Sequence, residues 1–401
     1  LGSLRYMRAV NWGEYLAGLH AWGAPGENHA FADASGTIGW KAAGLVPVRP
    51  NWDGLLPVPG DGRYEWAGYY DMDELPVSVN PGRGWVATAN EFNLPDDFPP
   101  GTKIGYDWHP PCRAQRIAEI LGSNGEITLL ESLRLQTDYV SIPARQIVAR
   151  LREVGPAPAS LDEVLDLLGK WDGTLSPGST EATIFQVWYR LYLRPEMLRR
   201  AMSQVVPADR ASAALGSVLP VTNFVGDSRV DVELLQSLGS QFGPHGRPML
   251  DDLLLSTLAD ALAHVGQLLG PDRDNWRWGQ LHTARFAHPL LEWVTAAAAE
   301  QLRVPSVPRG GSGDTVANTV YAPDFAQIGG ATFRMVLDVG QWDNSLAMNA
   351  PGQSGDPASP HYCDLLAMWA RDEAFPLVYS RQRVEEVTEA RLKLYPPEVG
   401  R

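Results

Sequence analysis

Residues 331–339, ATFRMVLDV, alternate so that Phe333, Met335, Leu337 and Val339 share one side of an extended chain. A period of two belongs to a half-buried strand, so these four residues are expected to form its buried face. The strand delivers residues 340–362, GQWDNSLAMNAPGQSGDPASPHY, where Gly, Pro, Asn and Asp crowd together. Gly352, Gly355 and Pro357 suit tight backbone, and Asp or Asn side chains can bond the main chain nearby. The stretch therefore reads as a well-anchored loop. Asp343 and Asp356 could also be imagined as paired carboxylates for sugar hydrolysis, with the 14 Trp as stacking platforms, but nothing in the sequence brings them to a working separation.

Taken in order, the chain first shows Tyr15, Leu16, Leu19 and Trp22 at helical spacing, which predicts a short helix over 12–22. Residues 29–32 and 37–43 then read as two strands joined by Asp33-Ala34-Ser35-Gly36, a hairpin with glycine where positive φ is needed. Residues 45–62 are rich in Pro and Gly and read as extended loop. The aromatics of 64–70, YEWAGYY, are expected in the core. GWVATAN at 84–90 reads as a strand ending at Asn90, where a scaffold can present an amide N–H to a ligand.

Past Pro110 and Pro111 the period changes to that of helices, predicted over 113–121, 144–154, 160–171, 179–194, 194–206, 250–269 and 289–302. Ser160 and Glu163 fit a capping box. His282 and His288 are six apart and so not on one helical face; packing histidines are expected there, not a metal pair. From residue 309 turns and short strands return, followed by a helix at 361–369, a strand at 376–379 and a terminal helix at 380–392. The outline is α+β: a sheet-forming part at 1–110, a mainly helical insertion at 111–303, and returning strands with a terminal helix at 304–401. The two strand regions are expected to share one sheet system.

Composition narrows the function classes. The chain has 401 residues with 44% hydrophobic content, which suits a folded protein with a large core. A net charge of −14 argues against a general nucleic-acid binder, which needs a basic face. Cys112 and Cys363 are the only cysteines, too few for a disulfide framework, and a single bridge between them stays open. No apolar run reaches about 18 residues, so no membrane span is expected. The first residues lack the signal-peptide pattern, and the compartment is left open. Phosphate-binding glycine loops, zinc helices and GxSxG elbows are absent; Ser312 in GGSGDT has the wrong order and reads as a turn.

The order and spacing of several longer stretches carry more. FADASGTIGW (31–40), LLPVPGDGRYEWAGY (55–69), NPGRGWVATAN (80–90), YDWHPPCRAQRI (106–117), WYRLYLR (188–194), WGQLHTARFAHPL (278–290), GDTVANTVY (313–321) and FRMVLDVGQWDNSLAMNAPGQSGDPASPHY (333–362) run through nearly the whole chain. Together they resemble the later part of the β subunit of the penicillin acylase family of N-terminal nucleophile hydrolases. The resemblance implies a four-layer αββα core carrying a large helical insertion. It also implies hydrolysis of linear amides joining a hydrophobic acyl group to a polar amine, with penicillins and N-acyl homoserine lactones as leading substrates. In such enzymes an N-terminal Ser attacks the carbonyl and its own α-amino group acts as base. An α-amino group titrates near pH 8, so much of it is neutral at working pH. By the same resemblance Asn90 is the oxyanion-hole donor and Arg113 orients the polar network of the site, with Arg116 close by as a rival. Asp343 and Asp356 then become turn anchors.

The departures set further expectations. Ser3 is followed by Leu4 and Arg5, not by the pattern of the nucleophile segment, so the nucleophile and the first strands of the core are expected from a missing upstream α/β-subunit segment. Members of the family carry structural calcium, but Thr102 stands about where an Asp ligand would be and Asp53 and Gly54 only near a carbonyl ligand, so no metal and no cofactor for the chemistry is expected here. The rival expectation, from the same missing Ser and strands, is a non-catalytic remnant or an interaction partner of another chain.

Overall fold

The structure is a computed structural model describing residues 2–99, 102, 104–123, 125–203, 206–207, 210, 213, 216, 228–241 and 246–395. Two short helices open it, α1 (Gly2–Tyr6) and α2 (Trp12–Leu19), the second capped by Asn11, whose side chain accepts the Glu14 N–H. They pack on an antiparallel sheet in the order β1 (Glu27–Ala32), β2 (Ile38–Ala43), β3 (Val77–Val79). Leu19, Ala43, Met72 and Leu75 are the buried residues between them. The β1–β2 hairpin turns as predicted: Asp33 Oδ1 accepts the N–H of Ser35 and of Thr37, and Gly36 takes φ +94°. A side chain at that φ would be strained, which is why glycine serves there.

The largest core is helical. It gathers α5 (Ile142–Leu151), α6 (Asp162–Lys170), α7 (Thr180–Trp188), α8 (Arg194–Met202), α9 (Ser228–Gln241) and α10 (Gly246–Leu269), preceded by α3 (Cys112–Ser123) and α4 (Leu129–Gln136). Ser179 caps α7 through the Ala182 N–H, and α7 continues through one π turn, Tyr189–Leu193, straight into α8. Inside this core Arg194 Nε meets Asp231 at 2.5 Å, and the Tyr189 hydroxyl donates to the same carboxylate oxygen at 2.6 Å. Both charges are almost wholly buried, so neither tolerates loss of its partner. The remaining elements are short: α11 (Trp278–Leu281), β4 (Thr283–Ala284), α12 (Ala296–Gln301), β5 (Val307–Pro308), β6 (Arg334–Val336), β7 (Leu346–Met348), α13 (Leu366–Ala370), β8 (Phe375–Pro376) and α14 (Arg381–Glu386).

Several expectations are corrected. The described strands form three separate antiparallel groups, β1–β2–β3, β4–β5 and β6–β7–β8, not one sheet system. GWVATAN is no strand, because no described segment supplies it with ladder hydrogen bonds. The inward face of β6 is the opposite of the predicted one: Arg334 and Val336 are buried, whereas Phe333, Met335 and Leu337 are 54%, 46% and 41% exposed. The buried cause is an ion pair of Arg334 with Asp372. Of the aromatics in YEWAGYY, Tyr70 packs against the first core, but Trp66 and Tyr69 are exposed and meet each other edge to face. No capping box forms at Ser160, where a 3-10 turn (Ala159–Leu161) leads into α6 without a side-chain cap; Thr128 and Glu131 form one instead at α4. The helices expected at 289–302, 361–369 and 380–392 are shorter, and part of the one at 194–206 lies outside the described residues. Cys112 and Cys363 are both free thiols.

His282 behaves as a packing histidine: it is fully buried, stacks on Trp278 with centroids 4.8 Å apart, and bonds the Phe325 carbonyl through Nδ1 at 2.9 Å. Burial lowers its pKa from 6.5 to about 4. Between those values the unfolded chain binds a proton that the native one refuses, so stability is full above pH 6.5 and falls as the pH drops toward 4. At about 1.4 kcal/mol per unit the loss amounts to roughly 3 kcal/mol. In denaturant titrations at about pH 7 and pH 4.5 the wild type should show this loss, and His282→Gln should show a clearly smaller one; equal slopes would mean that other groups carry the acid sensitivity.

Candidate active site

Residues 85–88 belong to no helix or strand, and the chain bends at Ala89 and Asn90, whose φ of +66° lies in the left-handed region that Asn tolerates better than most side chains. The turn is pinned on both sides. His109 N–H donates to the Asn90 carbonyl at 2.8 Å, and the Glu91 carboxylate accepts the Ala89 N–H at 2.7 Å. After Pro110 and Pro111, α3 begins and carries Arg113 in its first turn. The two residues named from the sequence meet: Arg113 Nη2 donates to Asn90 Oδ1 at 2.9 Å. Arg116, the rival, is engaged elsewhere, with Asp138 at 2.8 Å and Glu119 at 2.9 Å.

This contact has a chemical consequence. A guanidinium can only donate, so the bonded atom of the Asn90 amide must be its oxygen. Nδ2 is then left as a donor with no protein acceptor among the described residues. Hydrogen bonds in series polarise one another, and a cation on Oδ1 strengthens the opposite N–H as a donor. Burial pulls the pKa of Arg113 below its usual value, yet a guanidinium keeps its proton at neutral pH.

Asn90 and Arg113 line an open cavity of about 560 Å³, whose lining also includes Arg309, Arg334 and Trp369. Arg309 lies over the Trp369 ring at 4.2 Å and donates through Nη1 to the carbonyls of Trp369 and Ala370. Asp372 Oδ1 receives Arg309 at 3.0 Å and Arg334 at 3.2 Å, while Oδ2 accepts the Tyr139 hydroxyl. Burial and the neighbouring carboxylate hold Tyr139 protonated far beyond the ordinary phenol range. Sequence reasoning missed this group. Its partners are 63 and 38 residues from Asp372, and the one local signal is an arginine set inside the apolar alternation of β6.

The other sequence candidates fall elsewhere. Asp343 Oδ1 accepts the N–H of Tyr379 at 2.7 Å and of Ser380 at 2.8 Å, which ties the loop to the start of α14. Asp356 is exposed and caps its own turn through the Ala358 N–H. Neither lines the cavity. Ser312 is buried in a turn, its Oγ accepting the Asp314 N–H at 3.1 Å. Asp53 is engaged with the Leu55 N–H, and Thr102 brings no charge; that donor set does not fit calcium, which takes six to eight oxygens rich in carboxylate. An exposed trio of His20, Asp71 and Asp73 does not line the cavity. No described helix is long and apolar enough to cross a membrane.

A family model described as penicillin amidase matches residues 1–386. The chain belongs to the penicillin amidase family. It is 31% identical over 393 residues to an acyl-homoserine lactone acylase QuiP of Pseudomonas fluorescens, covering 92% of this chain and 46% of that one. To a penicillin acylase 2 proenzyme of a Pseudomonas species it is 32% identical over 377 residues, covering 92% and 46%. To penicillin G acylase of Escherichia coli it is 26% identical over 426 residues, covering 97% and 47%. The chain thus spans about half the length of these relatives. Among solved structures, thermostable penicillin G acylase from Alcaligenes faecalis superposes with a TM-score of 0.65 over 99% of this chain and 72% of that one, at 18% identity. The fold is therefore shared with a penicillin amidase structure, and its named relatives are acylases.

With Asp343 as an anchor and not an acid, Asp343→Ala should expose the 379–386 segment to limited proteolysis and lower the yield of folded protein. Turnover of an acyl amide, measured in the complete protein, should be the same for the folded fraction of the variant as for wild type; a fall in turnover at unchanged protease resistance would return Asp343 to the chemistry.

Proposed function

We propose that this chain supplies the carbonyl-activating part of an acylase site that hydrolyses amides between a hydrophobic acyl group and a polar amine. The observation that carries the reading is the Arg113–Asn90 bond beside a cavity that both residues line, which leaves the amide N–H of Asn90 free to donate. The names of the relatives support β-lactam nuclei and homoserine lactones as amine classes. We further propose that the nucleophile comes from a segment of the same precursor outside these 401 residues. Relatives about twice as long, one of them named a proenzyme, support this. The exposed stripe of Phe333, Met335 and Leu337 supports it too, since an added segment could cover that face.

In this reading a hydroxyl adds to the amide carbonyl and the carbonyl electron pair moves onto oxygen. Asn90 Nδ2 donates to that oxygen as its charge grows, with Arg113 holding the amide in register. When the tetrahedral centre collapses, the C–N bond breaks, the amine leaves with a proton, and water later releases the acid from the ester. The chemistry requires no cofactor. Such a donor matters more to the transition state than to the bound substrate, so its loss appears in turnover.

In the complete protein, Asn90→Ala should lower kcat by about 10²–10³ with little change in KM. Asn90→Asp, which keeps the partner for Arg113 but has no donor, should be as slow while folding normally. Wild-type turnover in Asn90→Asp would remove the residue from the oxyanion site, and failure of the complete protein to cleave any chromogenic phenylacetyl or fatty-acyl amide would remove the acylase reading itself.

A further inference from the structure

Asn90 holds a backbone conformation, φ +66°, that a residue other than glycine keeps only where its surroundings dictate it. Three contacts dictate it here. Two reach Asn90 directly: His109 N–H donates to its carbonyl, and Arg113 Nη2 donates to its side-chain oxygen. The third does not touch Asn90 at all. Glu91 bends back so that its Oε2 accepts the Ala89 N–H at 2.7 Å, and Asn90 is the residue enclosed by that bond. A carboxylate on a backbone N–H makes a charge-assisted bond, stronger than a neutral pair, so the ring it closes resists opening.

Glu91 also bears on Asn90 through Arg113. Among the described residues the bond to Asn90 is the one polar contact of the Arg113 side chain. Burial lowers the pKa of this guanidinium, and the carboxylates of Asp314 and Glu91 are among the charges that oppose the fall. Glu91 itself lines not the cavity of Asn90 and Arg113 but a second one, of about 620 Å³. Its influence on a substrate in the first cavity therefore passes through Asn90.

We propose that Glu91 is a positioning residue for the oxyanion donor: its carboxylate closes the turn that aims the Asn90 amide, without touching the substrate. The inference rests on the acylase reading and deepens it. A donor slightly out of line still binds a neutral carbonyl but meets the developing charge poorly, so loss of Glu91 falls on kcat and not on KM. Because the effect passes through Asn90, it disappears when Asn90 has no amide to aim.

The test is a double-mutant cycle in the complete protein, read on a chromogenic phenylacetyl amide. Glu91→Ala should lower kcat about tenfold while KM stays within twofold. Glu91→Gln, whose amide oxygen still accepts the Ala89 N–H, should fall between Glu91→Ala and wild type. In the Asn90→Ala background the same Glu91→Ala change should cost less than about twofold. A wild-type kcat in folded Glu91→Ala, or a loss as large with Asn90 absent as with it present, overturns the proposal. Should the wild type cleave no amide, the acylase reading fails, and hydrogen exchange decides the positioning role alone. An Ala89 amide that exchanges slowly in wild type and fast in Glu91→Ala upholds it; fast exchange in the wild type ends it, even if Glu91→Ala does not fold.

Discussion

Asp372 is the constraint on which the rest leans. Its carboxylate takes Arg309 from the turn after β5, Arg334 from β6 and the Tyr139 hydroxyl from the helical region, and it sits just beyond α13 at a φ of +59°. Three distant parts of the chain are thereby fixed to one side chain. Buried guanidiniums are costly without a partner, so the arrangement is all or nothing: with Asp372 in place β6 must turn Arg334 inward, and its apolar neighbours go out. Trp369 completes the group by lying under Arg309 and by donating its indole N–H to the Ala331 carbonyl at 3.0 Å.

A second line of polar contacts leads from this group to the candidate oxyanion donor. Arg116, on the same helix as Arg113, forks onto Asp138, whose Oδ1 also accepts the Val140 N–H, and Tyr139 between them reaches Asp372. Helix α3 therefore gives one arginine to Asn90 and another to Asp138, next to Tyr139. At i and i+3 the two are neighbours on the helix surface, so one stretch of helix serves both contacts. Preorganisation of Asn90 thus depends on packing well outside its own loop.

The helical core and the small sheets carry different loads. Trp188, Phe185, Ile184, Leu168 and their neighbours form a continuous interior built by long periodic segments, whereas the described strands are two to six residues long and gain their stability from loops, ion pairs and caps. The cavity lies where these two kinds of structure meet, lined by residues of α3, α4, the 88–90 turn, β6 and the turns at 309–319. Sites built at such junctions can change their lining without disturbing either core.

Local chemistry was legible in the residues alone: the hairpin around Gly36, the helices α5 to α8 and α10, and the packing role of His282, whereas α9 (Ser228–Gln241) was not foreseen. Each depends on neighbours within about one turn of chain or on side-chain hydrophobicity, which a sequence displays directly. Asn90, Arg113 and the anchor role of Asp343 entered through a family resemblance; the bond between Asn90 and Arg113 and the reach of Asp343 to Tyr379 and Ser380 had no sequence signal beyond it. What only the tertiary structure decided is long-range: the three separate sheets, the loss of a strand at 84–90, and the inverted face of β6. Alternation tells which residues share a face but not which face is buried, since an ion pair with Asp372, 38 residues away, outweighs three half-exposed apolar side chains. Pairing of that kind is a property of the closed fold, and no window of sequence contains it.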